Sequence, residues 1–306
     1  MKTTSSTPWA EWEVQRILAF IKNFAAEDER VVVPVSGGLD SDLTARLCRK
    51  SLGRERVKLF IVVQSDLEPK FLVNARALAE DLDLPLAEIH LEQANEALMS
   101  ALEQGESEPL FHMNMALDPA KAKCSVRSSV LSCYQDKGFL IAGSTNRSEK
   151  ELGFFLTFGD NLAHFKPLAH LYKSRLYPLA RIMGTRETVL TQEPSAGFWS
   201  GQTDAEDLAY WIVNDGPIMI PRHFSTAEKA RVQEFSPFLT YENIDQVLEL
   251  HAQSVSEAGI ISQTSLPDGV VTGIIHIVEK AKRLKNRPLL VELPGEGDSC
   301  ALPQAD

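Results

Sequence analysis

Val31-Val32-Val33-Pro34-Val35-Ser36-Gly37-Gly38-Leu39-Asp40-Ser41 is an apolar run that breaks at a serine and two glycines and restarts as a helix. Its β-branched residues read as a buried strand, and Leu39, Leu43, Ala45 and Leu47 give the next segment an apolar helical stripe. Between the two the chain must turn sharply with its backbone amides exposed. Gly37 and Gly38 let a ligand approach closely, Ser36 and Ser41 supply hydroxyls, and the helix N-terminus adds positive field. Together these suit phosphate or pyrophosphate. Asp40 would repel such an anion unless a divalent cation stood between them, and Mg²⁺ commonly takes one or two carboxylates plus the substrate phosphates. The alternative is a capped helix whose first turn Asp40 stabilises by its charge. The third glycine of a dinucleotide fingerprint is missing, and so is the Gly-Lys-Ser/Thr of a Walker loop.

Outward from this stretch, residues 11–24 place Val14, Ile17, Leu18, Ile21 and Phe24 at helical spacing. Residues 57–63 read as a second buried strand, 71–82 as a helix and 86–91 as a partly exposed strand. This alternation predicts an α/β fold, a doubly wound parallel sheet whose ligands sit beyond the carboxyl ends of the strands. Gln64, Ser65 and Asp66, at the end of the second strand, read as polar loop residues, and 103–119 as an irregular connection.

Residues 121–134 predict a helix and 139–142 a strand ending in Gly143-Ser144-Thr145-Asn146-Arg147-Ser148-Glu149, which repeats the geometry of the first loop. Glu149 is a second candidate oxygen ligand, able with Asp40 to hold one Mg²⁺ on ATP. A helix start capped by Ser148 or Asn146, with Glu149 as first-turn charge, fits equally well. Lys173 opens a helix running to Met183, either as a point charge for a β or γ phosphate or as a solvated lysine. Residues 193–204 form a Gly/Pro-rich segment carrying Phe198 and Trp199, suited to a loop that closes over an activated intermediate or to one that is merely packed. Helices are predicted over 204–214, 225–235, 241–258 and 269–284, with Leu-rich faces that suit core or dimer surface.

At 306 residues the chain can bury a large core, read as one domain over 1–293 with a loose tail from 294 to 306. A net charge of -11 argues against a broad nucleic-acid grip and leaves room for a local basic pocket. The four cysteines form no metal-type pair and suggest no disulfide scaffold, so a reducing cytoplasm is the simplest home. There is no apolar leader and no run of membrane-spanning length, so no membrane partner is expected. A nucleic-acid thiolase would need a catalytic cysteine pattern that Cys124 and Cys133 do not supply, and a nucleotide binder without turnover would have little use for both Asp40 and Glu149.

Ser36-Gly37-Gly38-Leu39-Asp40-Ser41 resembles the Ser-Gly-Gly-x-Asp-Ser signature of the N-type ATP pyrophosphatases, which split ATP between its α and β phosphates. Residues 140–149, Gly153-Phe154-Phe155, Phe158-Gly159-Asp160, Leu171-Tyr172-Lys173, Glu193-Pro194-Ser195-Ala196 and Gly201-Gln202-Thr203-Asp204 continue in the order of the ammonia-dependent NAD synthetases. This resemblance covers about residues 10–215, with a weaker echo at 285–288.

It implies a sheet of the adenine-nucleotide alpha-hydrolase type with additional C-terminal helices. Ser36, Gly37, Gly38 and Ser41 would hold pyrophosphate, Asp40 and Glu149 Mg²⁺, Arg127 and Ser144 ATP, and Lys173 and Ser195 its phosphates. Asp40 and Lys173 would carry the catalysis. It also implies a homodimer, a small-molecule carboxylate as acyl substrate, and ammonia either free or from a separate glutaminase. The sequence departs from the family on the acyl side. One of two paired arginines is Ser125, a lysine is lost in Leu156-Thr157-Phe158, and a Gly-Gly-x-Asp stretch is Asn161-Leu162-Ala163-His164. The same chemistry on another carboxylate is therefore the competing expectation.

Overall fold

The structure is a computed structural model that describes residues 8–64, 67–108, 119–155, 162–197, 200–218 and 222–285. Among these, β1 (Arg30–Pro34), β2 (Val57–Val63), β3 (Leu86–His90) and β4 (Phe139–Ile141) form a parallel sheet in the order β3-β2-β1-β4. Side chains alternate across a strand, and β1 and β2 use both faces. Val31, Val33, Leu59 and Ile61 belong to one buried cluster, Val32, Phe60 and Val62 to another on the opposite face. Such a strand has no polar face, which is why its sequence reads as a continuous apolar run.

Helix α1 (Pro8–Phe24) and α2 (Leu39–Leu52) cover the first face through Ile17, Ile21, Leu43 and Leu47, with α3 (Pro69–Leu82) beside them. Each such aliphatic side chain contributes about 1.5–3 kcal/mol on full burial. Helix α4 (Ala94–Gly105) packs on α5 (Pro119–Gln135). Helix α5 covers the second face, where Leu131 is buried and Tyr134 stacks on Phe60 at 4.8 Å. Helices on both faces make the sheet doubly wound, as expected.

After β4 come α6 (Arg147–Leu152), α7 (Lys173–Ile182) and α8 (Glu187–Leu190), then α9 (Asp204–Val213), α10 (Thr226–Phe235), α11 (Tyr241–Ala252), α12 (Glu257–Thr264) and α13 (Asp268–Lys285). The last five share a core of their own, including Leu208, Ile244, Leu248, Ile260, Ile274 and Ile277, which reaches Leu152 of α6 and Tyr172. No helix among the described residues is long and apolar enough to cross a membrane.

Two segments depart from expectation. The helix predicted over 241–258 is two helices, because Ser254 adopts a left-handed φ of 61° and Ser256 caps α12 by accepting from the Gly259 N–H at 3.3 Å. The connection predicted from residue 103 begins inside a helix that was not predicted, α4, which runs to Gly105 with mostly exposed side chains. The tail expected at 294–306 lies outside the described residues.

The turn after β1 depends on Gly37. Its φ is +78°, and a Cβ there would lie 2.1 Å from the Phe71 carbonyl oxygen at the start of α3. Left-handed backbone plus a backbone clash costs on the order of 3 kcal/mol. Gly37→Ala should lower the melting temperature by about 6 °C. A calorimetric scan showing an unchanged Tm would remove the close approach of α3 as the reason for glycine.

Candidate active site

The chain runs from β1 to β2 to β3 and then returns to β4 on the other side of β1. The crevice at this switch of direction lies between the carboxyl ends of β1 and β4, the usual ligand position in an open α/β sheet. From β1 comes the 36–41 loop. The Ser36 amide donates to Ser41 Oγ at 3.0 Å, the two hydroxyls lie 3.1 Å apart, and Ser41 Oγ donates to the Gly38 carbonyl at 3.1 Å. These bonds fix the turn from behind. Gly38 is the N-cap of α2 without a side-chain cap, so the helix start keeps N–H groups directed to an incoming anion.

From β4 comes Asn146, fully buried, whose side chain joins both halves of the crevice. Its Nδ2 donates to Asp40 Oδ1 at 2.8 Å, its Oδ1 accepts from the Glu149 amide at 3.0 Å, and its own amide donates to Glu149 Oε2 at 3.2 Å. The last two bonds are a capping box for α6. The helix-start reading of Glu149 is thus observed, and the Asp40 charge acts on its carboxylate. Lys173, the first residue of α7, donates from Nζ to Asp40 Oδ2.

A second set of buried polar groups backs this cluster. Asp204, at the start of α9, accepts from the Tyr241 hydroxyl at 2.8 Å, and its amide donates to the Pro194 carbonyl at 2.9 Å. The Lys173 ammonium lies 5.4 Å from the centre of the Tyr241 ring. One turn along α11, Asp245 accepts from Ser148 Oγ at 2.5 Å and from the Ser174 amide at 2.8 Å. Ser148 Oγ in turn accepts from the Lys173 amide at 2.9 Å. The first turns of α6 and α7 are thus tied to each other and to α11.

The electrostatics follow from three carboxylates gathered around one ammonium. Burial, reinforced by the Asp40 charge, pushes Glu149 well above the ordinary carboxylate range. Burial likewise raises Asp204 against the opposing pull of Lys173 and Tyr241. Burial alone would lower Lys173, but Asp40, Glu149 and Asp204 outweigh it and hold the ammonium above its usual value. Burial thus favours the neutral forms of Glu149 and Asp204, while Lys173 keeps its charge among them. No group of three or more His, Cys, Asp or Glu side chains able to hold a metal occurs among the described residues. The donor set nonetheless fits Mg²⁺ arriving on nucleotide phosphates, because that ion needs only one or two hard carboxylates from the protein.

Beside the cluster, a cavity of about 140 Å³ is walled by Ser36, Phe60, Arg127, Ser144, Ser195 and Gly197, among others. Arg127 Nε donates to Gln64 Oε1 at 3.0 Å. Gln64 is 4% exposed, so the residue read as polar loop is a buried support for the arginine. A larger groove of about 620 Å³ between α1 and α6 contains none of the candidate site residues. Ser36, Gly37, Gly38, Asp40, Ser41, Arg127, Ser144, Glu149, Lys173 and Ser195 all meet at the carboxyl edge of the sheet, in the loop, the cluster or the smaller cavity. Asn146 was visible only as a cap. Tyr241 and Asp245 carried no signal of their own, and Asp204 only as the last residue of the Gly201-Gln202-Thr203-Asp204 stretch. Leu156-Thr157-Phe158-Gly159-Asp160-Asn161, Ser65, Asp66, Phe198 and Trp199 lie outside the described residues.

The family model described as NAD synthase matches residues 13–236. The NH(3)-dependent NAD(+) synthetase of Methanocaldococcus jannaschii is 26% identical over 283 residues, spanning 92% of this chain and 96% of that protein. The enzyme of the same name from Finegoldia magna is 31% identical over 205 residues, 67% of this chain and 77% of that protein. Among solved structures, the NH3-dependent NAD synthetase of Campylobacter jejuni superposes with a TM-score of 0.65 at 20% identity, covering 92% of this chain and 99% of that one.

Proposed function

The chain belongs to the NAD synthase family, and from that membership we propose that it amidates nicotinic acid adenine dinucleotide to NAD with ammonia, releasing AMP and pyrophosphate. It is an ATP-dependent amide-forming ligase. The observation that carries the reading is the meeting of Asp40, Glu149 and Lys173 around Asn146, beside the Ser36–Ser41 loop.

The substrate carboxylate attacks the α phosphorus of ATP, the bond from that phosphorus to the bridging oxygen breaks, and pyrophosphate leaves. Ammonia then attacks the acyl carbon of the adenylate, AMP leaves with the former carboxylate oxygen, and the nitrogen gives up one proton to solvent. No side-chain nucleophile is needed. The loop amides and the Ser36 and Ser41 hydroxyls hold the pyrophosphate moiety, and Lys173 meets its developing charge as a flexible point cation. Arg127 and Ser144 hold the nucleotide in the adjoining cavity, with Ser195 on its wall facing the phosphates. Asp40 and Glu149 are the protein's ligands for Mg²⁺, which when bound neutralises charge on the phosphate oxygens as a Lewis acid. Alignment of two anions is the larger part of the work, since carboxylate and triphosphate repel each other until both are neutralised and held.

Trp12, Phe20 and Phe24 are exposed along α1, an aromatic face that supports assembly of two copies. A homodimer working in the cytoplasm, fed by free ammonia or by a separate glutaminase, is the arrangement we favour. The test is a mass-resolved assay with ATP, Mg²⁺, ammonium and nicotinic acid adenine dinucleotide. NAD and AMP should appear in equal amounts. AMP without NAD, or neither product from folded protein that binds ATP, would overturn the choice of acyl substrate and direct the search to another carboxylate, as the lost lysine in 156–158 invites.

A further inference from the structure

Lys173 is held on a short leash that its own helix does not supply. The side chain is 7% exposed, its ammonium engages Asp40, and the Tyr241 ring lies 5.4 Å away. Tyr241 is itself anchored at its far end, where its hydroxyl donates to the buried Asp204 at 2.8 Å. Four residues on, Asp245 clamps the same helix to Ser148 and Ser174, so α11 cannot slide relative to the start of α7. Residues i and i+4 share one helix face, and here that face carries two polar groups in a helix otherwise buried through Ile244, Val247 and Leu248. A packing helix has no need of a buried tyrosine hydroxyl and a buried carboxylate, each of which costs free energy unless satisfied.

We propose that Tyr241 is a positioning residue for the reaction, acting through Lys173: bonded to Asp204, it sets where the ammonium stands relative to the phosphates. Tyr241 does not touch the reacting atoms, and the family match ends at residue 236, before α11 begins. The rise of Lys173 above its usual pKa under three carboxylates, Asp204 among them, agrees with the geometry. The proposal rests on the reading that Lys173 meets the departing phosphates.

The decisive experiment is a double-mutant cycle of Tyr241→Phe and Lys173→Met, read in two ways. Tyr241→Phe keeps the ring and removes only the hydroxyl. With saturating ammonium and dinucleotide, kcat should fall about 10-fold and KM for ATP should change less than about 2-fold, because a misplaced ammonium fails chiefly at the charge developed in the transition state. In the Lys173→Met background the same change should have no further effect on kcat, since coupled residues are not additive. The second reading is calorimetric binding of inorganic pyrophosphate with Mg²⁺, which needs no turnover. Tyr241→Phe should weaken it several-fold in the wild type and not at all in Lys173→Met.

An unchanged kcat and affinity in Tyr241→Phe, or losses of equal size in both backgrounds, would overturn the proposal and leave Tyr241 as a packing residue. Asp204→Asn, which keeps a hydrogen-bond acceptor for Tyr241, should retain most of the wild-type pyrophosphate affinity if the tether matters, whereas Asp204→Ala should lose it as Tyr241→Phe does. Wild-type protein that binds no pyrophosphate would remove the role of Lys173 and the proposal with it. Wild-type protein that binds pyrophosphate but makes no NAD would instead fault the acyl substrate and leave the cycle intact.

Discussion

Replacing Asp40 with asparagine should lower Mg²⁺-dependent AMP release by about 10³-fold, roughly 4 kcal/mol of transition-state stabilisation, while leaving the fold in place. The two halves of that expectation have separate causes. Asn is isosteric, and its one side-chain oxygen keeps one of the two bonds that Asp40 accepts, from Asn146 Nδ2 at Oδ1 and from Lys173 at Oδ2; turning the oxygen to Lys173 leaves the NH2 beside Asn146, whose amide can flip in response. The charge lost from Asp40 leaves Lys173 still facing Glu149 and Asp204, so the ammonium keeps counter-charge and the fold is retained at some cost in Tm. What asparagine cannot do is supply an anionic oxygen to a hard cation. If Asp40 served only as first-turn charge for α2, the change would cost about 0.3–1 kcal/mol of stability and nothing in turnover. Steady-state AMP formation across a Mg²⁺ titration, beside a thermal melt, separates the two. Wild-type rates at saturating Mg²⁺ would sink the ligand role.

Most of the sheet was legible because fully buried strands must be apolar on both faces, and residues 57–63 read as a strand with the bounds observed for β2. The loop was legible because few chemistries use two glycines, two serines and a carboxylate between a strand and a helix. Helix α4 was not predicted: its side chains are mostly exposed, and its apolar stripe is short, with Leu98 and Leu102 one turn apart. The break between α11 and α12 was hidden because Val255 continues the apolar spacing of Ile244, Val247 and Leu248 across a left-handed Ser254.

The missed members of the site share one property. Tyr241 and Asp245, and the bond that Asp204 accepts from Tyr241, depend on partners 37 to 97 residues away, and a polar residue on an apolar helix gives no hint of which distant group it will meet. Asp245 reaches back to Ser148, and Tyr241 to Asp204 and Lys173. Gln64 failed in the same way: at a strand end it resembles loop, and only the packing of α5 across the sheet shows that it carries Arg127. Residue type and local spacing pick out candidates for contact with substrate, whereas the groups that hold those candidates in place emerge only with tertiary structure.

Lys173→Ala should produce two effects of opposite dependence on metal. In the absence of Mg²⁺ it removes the ammonium that Asp40, Glu149 and Asp204 surround, leaving carboxylates with no counter-charge. Breaking a buried pair costs about 3–5 kcal/mol. The lower end applies here, because Glu149 and Asp204 are already raised by burial and can take up protons to relieve the repulsion. A fall in Tm of about 6 °C follows for a protein of this size.

Mg²⁺ should then stabilise the variant more than the wild type, since the ion takes over charge compensation in the variant but has less negative charge to neutralise in the wild type. Turnover behaves differently. Mg²⁺ cannot replace a flexible point cation on the departing phosphates, so AMP formation should remain down by about 10³-fold at saturating metal. Lys173→Met, which keeps most of the apolar stem against the Tyr241 ring, should recover part of the packing and none of the rate. Lys173→Arg should recover charge but little rate, because a planar guanidinium does not fit a recess built for a compact ammonium. Measured together, Tm with and without Mg²⁺ and kcat for AMP release decide between the roles. A variant that is destabilised yet turns over at the wild-type rate would make Lys173 a counter-ion for Asp40 and nothing more. A variant that loses rate while its Tm shows the predicted gain with Mg²⁺ would place the lysine in both roles at once.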